Sequence, residues 1–333
     1  MNTTFLIGNG FDLNVGLKTR FKDFLPVYQK IESHNPVIKK FKQDIALDIN
    51  TWADFESQMG RYTEEYDQDT VNDYIECLDD FREELVRYLK REEEKIDFDY
   101  FADQIWEVFR KSMTQLDKIF PEPQLRLTVQ RYDYNFITFN YTSVFDHCIE
   151  LLTRRAKSDG IFGTVLHIHG TLQEDVVIGV DNINQIENEE LSQNKRIQRA
   201  LIKPMINERS KKGKDEVGDQ LIQNSDMICI FGMSMGETDK IWWQRIGGWL
   251  QAGSSHQLAM INVASRVNPI HPNRLRDKQK EVLDNFFKLA DFSEEAREEC
   301  AGRIHVRFNT NLFKIDLTQK LKGESAQNAA YNT

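Results

Sequence analysis

The chain has 333 residues, of which 40% are hydrophobic and 29% charged, the composition of a globular protein of about two domains. This balance excludes a disordered chain, and the absence of any apolar run near the ~20 residues of a membrane span argues against a membrane-spanning helix. The net charge of −10 lies in residues 61–103, which hold 16 Asp and Glu against 6 Lys and Arg, so the neutral remainder argues against nucleic-acid binding by charge alone.

Seven short apolar runs predict β-strands, and most of them show little alternation of polar and apolar residues. They lie at 3–7, 134–139, 164–168, 176–180, 226–232, 257–263 and 303–308. Such runs are typical of parallel strands that are covered on both faces. Helix-like stretches at 142–156, 238–251 and 275–290 separate several of them. The sequence therefore predicts an α/β fold with a mostly parallel sheet and helices on both faces.

The long connection between the first two predicted strands has helical patterning. Apolar residues at helical spacing predict helices over 71–89 and 98–120, the second ended by Pro121 and Pro123. Their acidic faces are interpreted as solvated, with a partner-binding surface as the alternative. We expect this lobe to cover the functional cleft or to contact a second subunit.

The resulting domain prediction has three parts. Residues 30–125 form an acidic helical insertion, and residues 1–29 with 126–320 form the sheet domain. Residues 321–333 are polar and are expected to be a disordered tail.

Residues 195–214 are the one basic stretch, with eight Lys and Arg against Glu208 and no aromatic residue. Without aromatic residues it lacks the stacking platform of a single-strand binder. We interpret it as a surface loop, and a phosphate or nucleic-acid contact is the alternative.

The four cysteines are about 70 or more residues apart and form no CxxC pair, so we expect four buried thiols and neither zinc nor another metal. They are Cys77, Cys148, Cys229 and Cys300. Free thiols, and an N-terminus without a basic and apolar leader, predict a cytoplasmic protein.

The strongest functional signal is the glycine-rich turn after the first strand. Its residues are Gly8, Asn9, Gly10, Phe11 and Asp12, followed by Gly16. Glycines there let the backbone turn sharply and approach a phosphate. Leu13 stands where a dehydrogenase fingerprint has its third glycine, so an ordinary dehydrogenase is not favoured. Asp12 must point away from a phosphate, cap the next helix or pair with a cation such as Arg20.

Polar residues also follow other predicted strands, at the edge where open α/β sheets bind ligands. They are Asn140, His169, Gly232, Ser234, Asp239 and Asn262. His169 can act as a general base, and Asn140 can orient a ribose hydroxyl or a water. The alternatives are a turn asparagine, a buried structural histidine or half of a metal site, and a helix cap at Asp239.

Six short motifs follow one another along residues 5–263. They are Gly8-Asn9-Gly10-Phe11-Asp12 with Gly16-Leu17 and Thr19, Trp52-x-Asp54-Phe55-Glu56, Phe139-Asn140-Tyr141-Thr142, His169-Gly170, Gly179-x-Asp181, and Gly232-x-Ser234-x-Gly236-Glu237-x-Asp239. The order Gly8-x-Gly10, Gly16-Leu17, Thr138-x-Asn140, His169-Gly170, Gly232-x-Ser234 and Ile261-Asn262 resembles the sirtuin-like NAD-binding fold. The finer motifs resemble the AbiH family of bacteriophage abortive infection proteins.

The resemblance implies a sirtuin-like, Rossmann-type sheet that binds NAD, in a protein of antiviral defence. His169 would be the base acting on the nicotinamide ribose, and Asn140 would orient that ribose or a water. The implied NAD-binding residues are Gly8, Asn9, Gly10, Phe11, Asp12, Gly16, Arg20, Gly232, Ser234 and Asn262, with Glu56, Asp181 and Asp239 as additional positions.

Three departures from sirtuins change the implied reaction. The chain lacks their zinc-binding CxxC pairs, has Asn9 where they have alanine, and has Thr142 where they have an acid. Protein deacetylation is therefore not expected, and NAD hydrolysis or ADP-ribosyl transfer is. Cleavage of the nicotinamide–ribose bond develops positive charge on the sugar, which a carboxylate such as Glu56 can stabilise.

Two other functions stay open at this stage. One is a sensor or scaffold that binds a nucleotide without turnover. The other is a defence effector that targets nucleic acid through residues 195–214. Expected partners are a nucleotide, a phage-derived trigger or partner protein, and a second copy of the chain.

Overall fold

The structure is a computed structural model that describes residues 1–116, 133–156, 161–174, 176–209, 213–263 and 272–319, together with 268 and 270. The predicted end of the second lobe helix, at Pro121 and Pro123, lies outside the described residues, as does the predicted tail 321–333.

Within the described residues, six parallel strands form one open sheet. They are β1 (Asn2–Ile7), β2 (Asp133–Thr138), β3 (Ile161–His167), β4 (Met227–Phe231), β5 (Gln257–Ile261) and β6 (Ile304–Arg307). Their order across the sheet is β3-β2-β1-β4-β5-β6, with Phe5 of β1 beside Phe136 on one side and Cys229 on the other. This confirms the predicted α/β fold, and the order is that of a Rossmann-type doubly wound sheet.

The sheet is covered on both faces, which explains its uninterrupted apolar strands. Phe5 and Ile7 of β1 enter one hydrophobic core, and Leu6 between them enters another on the opposite face. β4 alternates in the same way, with Cys229 on the first face and Ile230 on the second. All four cysteines are buried free thiols.

Helices fill the described parts of the connections. Between β1 and β2 lie α1 (Gly10–Asn14), α2 (Phe21–Tyr28), α3 (Pro36–Leu47), α4 (Phe55–Tyr62), α5 (Val71–Glu93) and α6 (Ala102–Leu116). Next come α7 (Val144–Arg155), α8 (Glu189–Ser192), α9 (Lys195–Leu201), α10 (Lys203–Arg209) and α11 (Lys214–Gln223). The last are α12 (Lys240–Ala252), α13 (Pro272–Leu289) and α14 (Glu294–Ala301), and short 3-10 turns lie at Thr51–Ala53, Thr63–Glu65, Ile183–Gln185 and Glu237–Asp239.

Helices α2 to α5 build a third core away from the sheet faces. The rings of Phe55 and Phe81 stack in it with centroids 3.4 Å apart. The chain returns to this core after β3, where Ile197 and Leu201 of α9 pack into it. Helix α6 differs, because Phe109 packs in the sheet core beside α7. The insertion between β1 and β2 is thus helical where it is described. Part of it forms the third core, and α6 packs into the sheet core.

The predicted strand at 176–180 is wrong. Only Val180 pairs there, in an isolated bridge with Ile202. Ile178 and Val180 are buried because they fill the third core. The apolar run therefore reflects burial and not a place in the sheet.

The predicted surface loop at 195–214 is also wrong for its described residues, which lie in α9, in α10 and at the start of α11. Asn194 begins α9, since its side-chain oxygen accepts a hydrogen bond from the backbone N–H of Arg196. The apolar face of α9 is buried in the third core, so this helix is anchored despite its basic outer face.

Candidate functional site

A cleft of about 540 Å³ opens at the carboxyl ends of the strands, beside the β1–β4 pair. Strand order reverses at this pair, and doubly wound sheets bind ligands at that point. The segments that follow the strands contribute ten residues to the lining of the cleft: Gly8, Asn9, Gly10, Asp12, Asn140, His169, Gly232, Ser234, Asp239 and Asn262. Arg20 lines it from the turn before α2 and Lys22 from α2 itself, and the lobe contributes Glu56, Leu85 and Leu89. The structure therefore brings most of the predicted site residues to one cleft.

Gly8 and Gly10 pack the first turn against the turn after β4. The N–H of Gly8 donates to the carbonyl of Phe231 at 3.0 Å, and that of Gly10 donates to the carbonyl of Gly232 at 2.6 Å. A Cβ on Gly10 would lie 2.5 Å from the Cα of Gly232, which itself has φ +62°. These glycines permit a close backbone contact, and the N–H groups of Gly8 and Gly10 are not free to bind a phosphate.

Arg20 and Lys22 bring positive charge to the cleft. Both are exposed, and neither forms an ion pair with a described residue. Asn9 holds the segment that carries them, because its Nδ2 donates to the carbonyl of Thr19 at 3.1 Å and its Oδ1 accepts from the Thr19 hydroxyl. Pairing of Asp12 with Arg20, one of the expectations above, does not occur, since Asp12 is turned inward and is 1% exposed.

Asp12 instead orients Asn140. One carboxylate oxygen of Asp12 accepts from Asn140 Nδ2 at 3.0 Å, and the other accepts from the Thr142 hydroxyl at 2.8 Å. Asn140 Oδ1 is then the free end of the amide; it is buried and has no hydrogen-bond partner among the described residues. Burial raises the pKa of Asp12 to about 7, although the hydrogen bonds from Thr142 and Asn140 lower it.

His167 and His169 have different partners. His167 is the last residue of β3; its Nδ1 lies 3.0 Å from the carbonyl oxygen of Asn140 and its Nε2 lies 2.9 Å from Asp146. His169 lines the cleft, and its ring contacts Phe139 at a centroid distance of 5.2 Å and Tyr141 at 6.4 Å. These two residues flank Asn140, so they link the predicted base to the predicted orienting residue.

His169 belongs to a charged cluster. Its Nε2 lies 3.2 Å from Asp239 Oδ1, and Lys203 Nζ lies 2.9 Å from the same oxygen. Lys203 also contacts Glu56 Oε2 at 2.7 Å, which joins the lobe to the sheet side of the cleft. His169 and Lys203 are buried, and the side chains of Asp239 and Glu56 are 15% and 12% exposed.

Charge pairing outweighs burial in this cluster. Burial alone would raise the pKa of Asp239, but Lys203 and His169 hold it below its usual range. Burial alone would lower the pKa of Lys203, but the carboxylates of Asp239 and Glu56 raise it above its usual range. The cluster therefore holds two carboxylates around one ammonium group.

The Gly179-x-Asp181 motif fixes the backbone position of Lys203 through hydrogen bonds of Val180. The backbone N–H of Val180 donates to the carbonyl of Leu201 at 2.8 Å, and that of Lys203 donates to the carbonyl of Val180 at 2.9 Å. A Cβ on Gly179 would lie 1.9 Å from the carbonyl oxygen of Leu201, so only glycine fits this approach. Asp181 itself does not line the cleft, and burial raises its pKa.

Of four other predicted site residues, two lie outside the cleft and two line it. Phe11 is buried in the sheet core, with its ring centroid 4.9 Å from that of Phe145, and does not line the cleft. Gly16, with φ +97°, packs beside Asp316 and does not line it either. Asn262 lines the cleft, but its amide bonds Thr310. Ser234 lines it and is exposed.

Lys203 and Lys22 are not among the residues that the sequence predicts for the site. Lys203 lies in the basic stretch, where its neighbours favour a solvated position. Its one distinguishing signal is that it directly follows the apolar pair Leu201-Ile202, both of which are buried. For Lys22, nothing in the neighbouring sequence distinguishes a cleft residue from a solvated lysine.

The cleft combines three chemical features. Arg20 and Lys22, which form no ion pair with a described residue, are cations that suit phosphate groups. Asn140 Oδ1, which has no partner in the part of the chain that the structure describes, is an acceptor that suits a hydroxyl or an amide N–H. His169, paired with a carboxylate, suits proton transfer. A ligand that carries both phosphates and hydroxyl groups is complementary to this arrangement.

A family model described as bacteriophage abortive infection AbiH matches residues 4–258. No curated protein and no solved structure matches the chain. In the part of the chain that the structure describes, no helix has both the length and the apolar character needed to cross a membrane. The family match covers the first turn, Glu56, Asn140, His169, Lys203 and Asp239. The chain belongs to the AbiH family of bacteriophage abortive infection proteins.

Proposed function

We propose that this abortive infection protein binds NAD in the cleft and cleaves the bond between nicotinamide and ribose. In this proposal His169 is the base, and Asn140 orients the ribose or the attacking water. The observation that carries the proposal is the buried Oδ1 of Asn140, which has no hydrogen-bond partner among the described residues and lies in the same cleft as the His169–Asp239 pair. A buried acceptor without a partner carries a desolvation cost that a bound hydroxyl relieves.

The binding step uses the exposed end of the cleft. The diphosphate of NAD pairs with Arg20 and Lys22, since the N–H groups of Gly8 and Gly10 are already used. The ribose hydroxyls donate to Asn140 Oδ1. The proposed likeness to sirtuins concerns this binding step. In both cases the dinucleotide would lie across the carboxyl ends of the strands.

The chemical step needs a base and negatively charged groups beside the sugar. The bond between ribose C1′ and the nicotinamide nitrogen breaks, its electron pair leaves on that nitrogen, and positive charge develops on the sugar. The carboxylates of Glu56 and Asp239 stabilise that charge. The oxygen of a water forms the new bond to C1′ and His169 takes the proton, which gives nicotinamide, ADP-ribose and one proton. An acceptor hydroxyl in place of water gives ADP-ribosyl transfer.

Binding of nucleic acid through residues 195–214 receives less support. Lys203 is buried in the cluster, and Lys214 pairs with Glu174 at 3.4 Å with its own side chain 13% exposed. Two of the eight cations are therefore engaged within the protein.

The proposal is tested in cells challenged with phage. His169→Ala and Asn140→Ala should each abolish protection and the loss of cellular NAD, at unchanged protein level. His34→Ala is the matched control, because His34 is exposed and does not line the cleft. Full protection by both cleft variants would contradict the proposal. Protection without NAD loss in the wild type would favour a nucleotide sensor instead.

A further inference from the structure

Lys203 lies at the centre of the cluster, away from the surface where its sequence neighbours place it. Its ammonium group contacts three oxygens: Asp239 Oδ1 at 2.9 Å, Glu56 Oε2 at 2.7 Å and the carbonyl of Thr238 at 3.1 Å. Three acceptors satisfy all three N–H bonds of an ammonium group. Lys203 does not itself line the cleft, whereas Asp239, Glu56 and His169 do.

We propose that Lys203 is a positioning residue that keeps Asp239 ionised against His169 and so fixes which nitrogen of the imidazole carries the proton. The assignment follows from the shared oxygen, because Asp239 Oδ1 lies against both Lys203 Nζ and His169 Nε2. An ionised carboxylate is an acceptor only, and at 3.2 Å from Nε2 it stabilises a proton on that nitrogen, which favours the Nε2–H tautomer.

The other imidazole nitrogen is then the basic one. His169 Nδ1 forms no hydrogen bond with any residue that the structure describes, so its lone pair is available in a side chain that lines the cleft. The use of Nδ1 as the base rests on the proposed function. The tautomer itself does not, because it is a property of the protein without NAD.

Removal of Lys203 should change this tautomer. Without its cation, the Asp239 carboxyl group, whose side chain is 15% exposed, takes up a proton. It then donates to Nε2, and the imidazole proton moves to Nδ1. Glu56 contacts the other side of Lys203, so its replacement leaves the Asp239–Lys203 contact in place.

The test is nitrogen-15 NMR of the imidazole ring in the full-length protein, with the His169 signals identified by their absence in His169→Ala. The wild type should show the Nε2–H tautomer. Lys203→Met should convert His169 to the Nδ1–H tautomer, and Glu56→Gln should leave it unchanged. Lys42→Met is the matched control, because Lys42 is also buried and pairs with Asp80 at 3.6 Å but does not line the cleft.

Two results would overturn the proposal: an Nδ1–H tautomer in the wild type, or an unchanged tautomer in Lys203→Met. If Lys203→Met does not fold, Lys203→Gln provides the same test, since it removes the cation and keeps an N–H donor for the buried oxygens. In NAD cleavage, Lys203→Met should lower kcat by ~10²-fold or more, within the ~10²–10⁴ that a positioned base contributes, with little change in KM. A wild type that never cleaves NAD removes the proposed function and leaves the tautomer result standing.

Discussion

Asp12 and Asp239 line the same cleft, and their surroundings shift their pKa values in opposite directions. Asp12 has only neutral donors, Asn140 and Thr142, so burial prevails and raises its pKa to about 7. Asp239 has an ammonium group at 2.9 Å, so its pKa falls below the usual range despite its burial. At a buried carboxyl group the nearest cation, more than the degree of burial, decides the charge.

The difference assigns separate tasks to the two sides of the cleft. On the Asp12 side a carboxyl group that titrates near neutrality orients an amide whose Oδ1 has no partner among the residues that the structure describes. On the Asp239 side a carboxylate holds an imidazole. Four variants sharpen or break this comparison, in order of expected effect.

Lys203→Met should have the largest effect on stability. It leaves two carboxylates without their cation, and breaking one partner of a buried ion pair costs about 3–5 kcal/mol. The measurement is the free energy of unfolding from denaturant titration at pH 7. Lys42→Met should cost less, because its partner Asp80 is 22% exposed and can be hydrated. A loss of only about 0–1 kcal/mol in Lys203→Met, the size expected for an exposed ion pair, would show that Asp239 does not depend on Lys203.

Asp12→Asn should alter the pH dependence of stability. The pKa of Asp12 is about 7 in the folded chain against an ordinary value of 3.8, so the folded state retains a proton that the unfolded state releases. The wild type therefore loses stability as pH rises from about 4 to about 7, by about 4–5 kcal/mol at ~1.4 kcal/mol per pKa unit. The variant lacks this loss.

The measurement for Asp12 is the difference in unfolding free energy between wild type and Asp12→Asn at several pH values. Relative to wild type, the variant should gain stability between pH 4 and 7 and change little above pH 8. A difference that is constant with pH would show that Asp12 is ionised throughout.

Thr142→Val should have a smaller effect that also depends on pH. The Thr142 hydroxyl donates to Asp12 at 2.8 Å and lowers its pKa. Its loss should cost about 1.5–3 kcal/mol at pH 8, where the carboxylate is ionised, and about 0.5–1.5 kcal/mol at pH 5. Thermal unfolding at both pH values measures this, and a larger loss at pH 5 would reverse the assigned charge state.

Glu56→Gln should have the smallest effect of the four on stability. Lys203 keeps Asp239 and the carbonyl of Thr238, and glutamine retains an acceptor oxygen for it. We expect a loss of about 1 kcal/mol in the free energy of unfolding. A loss as large as that of Lys203→Met would mean that Glu56, and not Asp239, is the main partner of Lys203.

Much of the sheet and part of the cleft follow from the sequence. The apolar runs of β1 and β4 indicate parallel strands, and polar residues after such strands converge because parallel strands end at one edge. Asn140 and His169 are found by that rule. The apolar run at 176–180 breaks it, because burial in a helical core gives the same pattern as a buried strand.

The charged cluster does not follow from the sequence. Lys203 and Glu56 are 147 positions apart, and nothing local distinguishes a lysine that pairs across such a distance from a solvated one. The partners of Asp12 are hidden for the same reason, since Asn140 lies 128 positions away. The charge states of the two aspartates therefore emerge only from the folded chain.

The most direct test of the central claim is the release of nicotinamide by the purified protein, measured by chromatography with and without an extract of phage-infected cells. We predict that the wild type converts NAD to nicotinamide and ADP-ribose, and that His169→Ala and Asn140→Ala do not, while the His169→Ala protein still binds NAD. NAD that stays intact with the wild type under both conditions would contradict the account, as would equal cleavage by all three proteins.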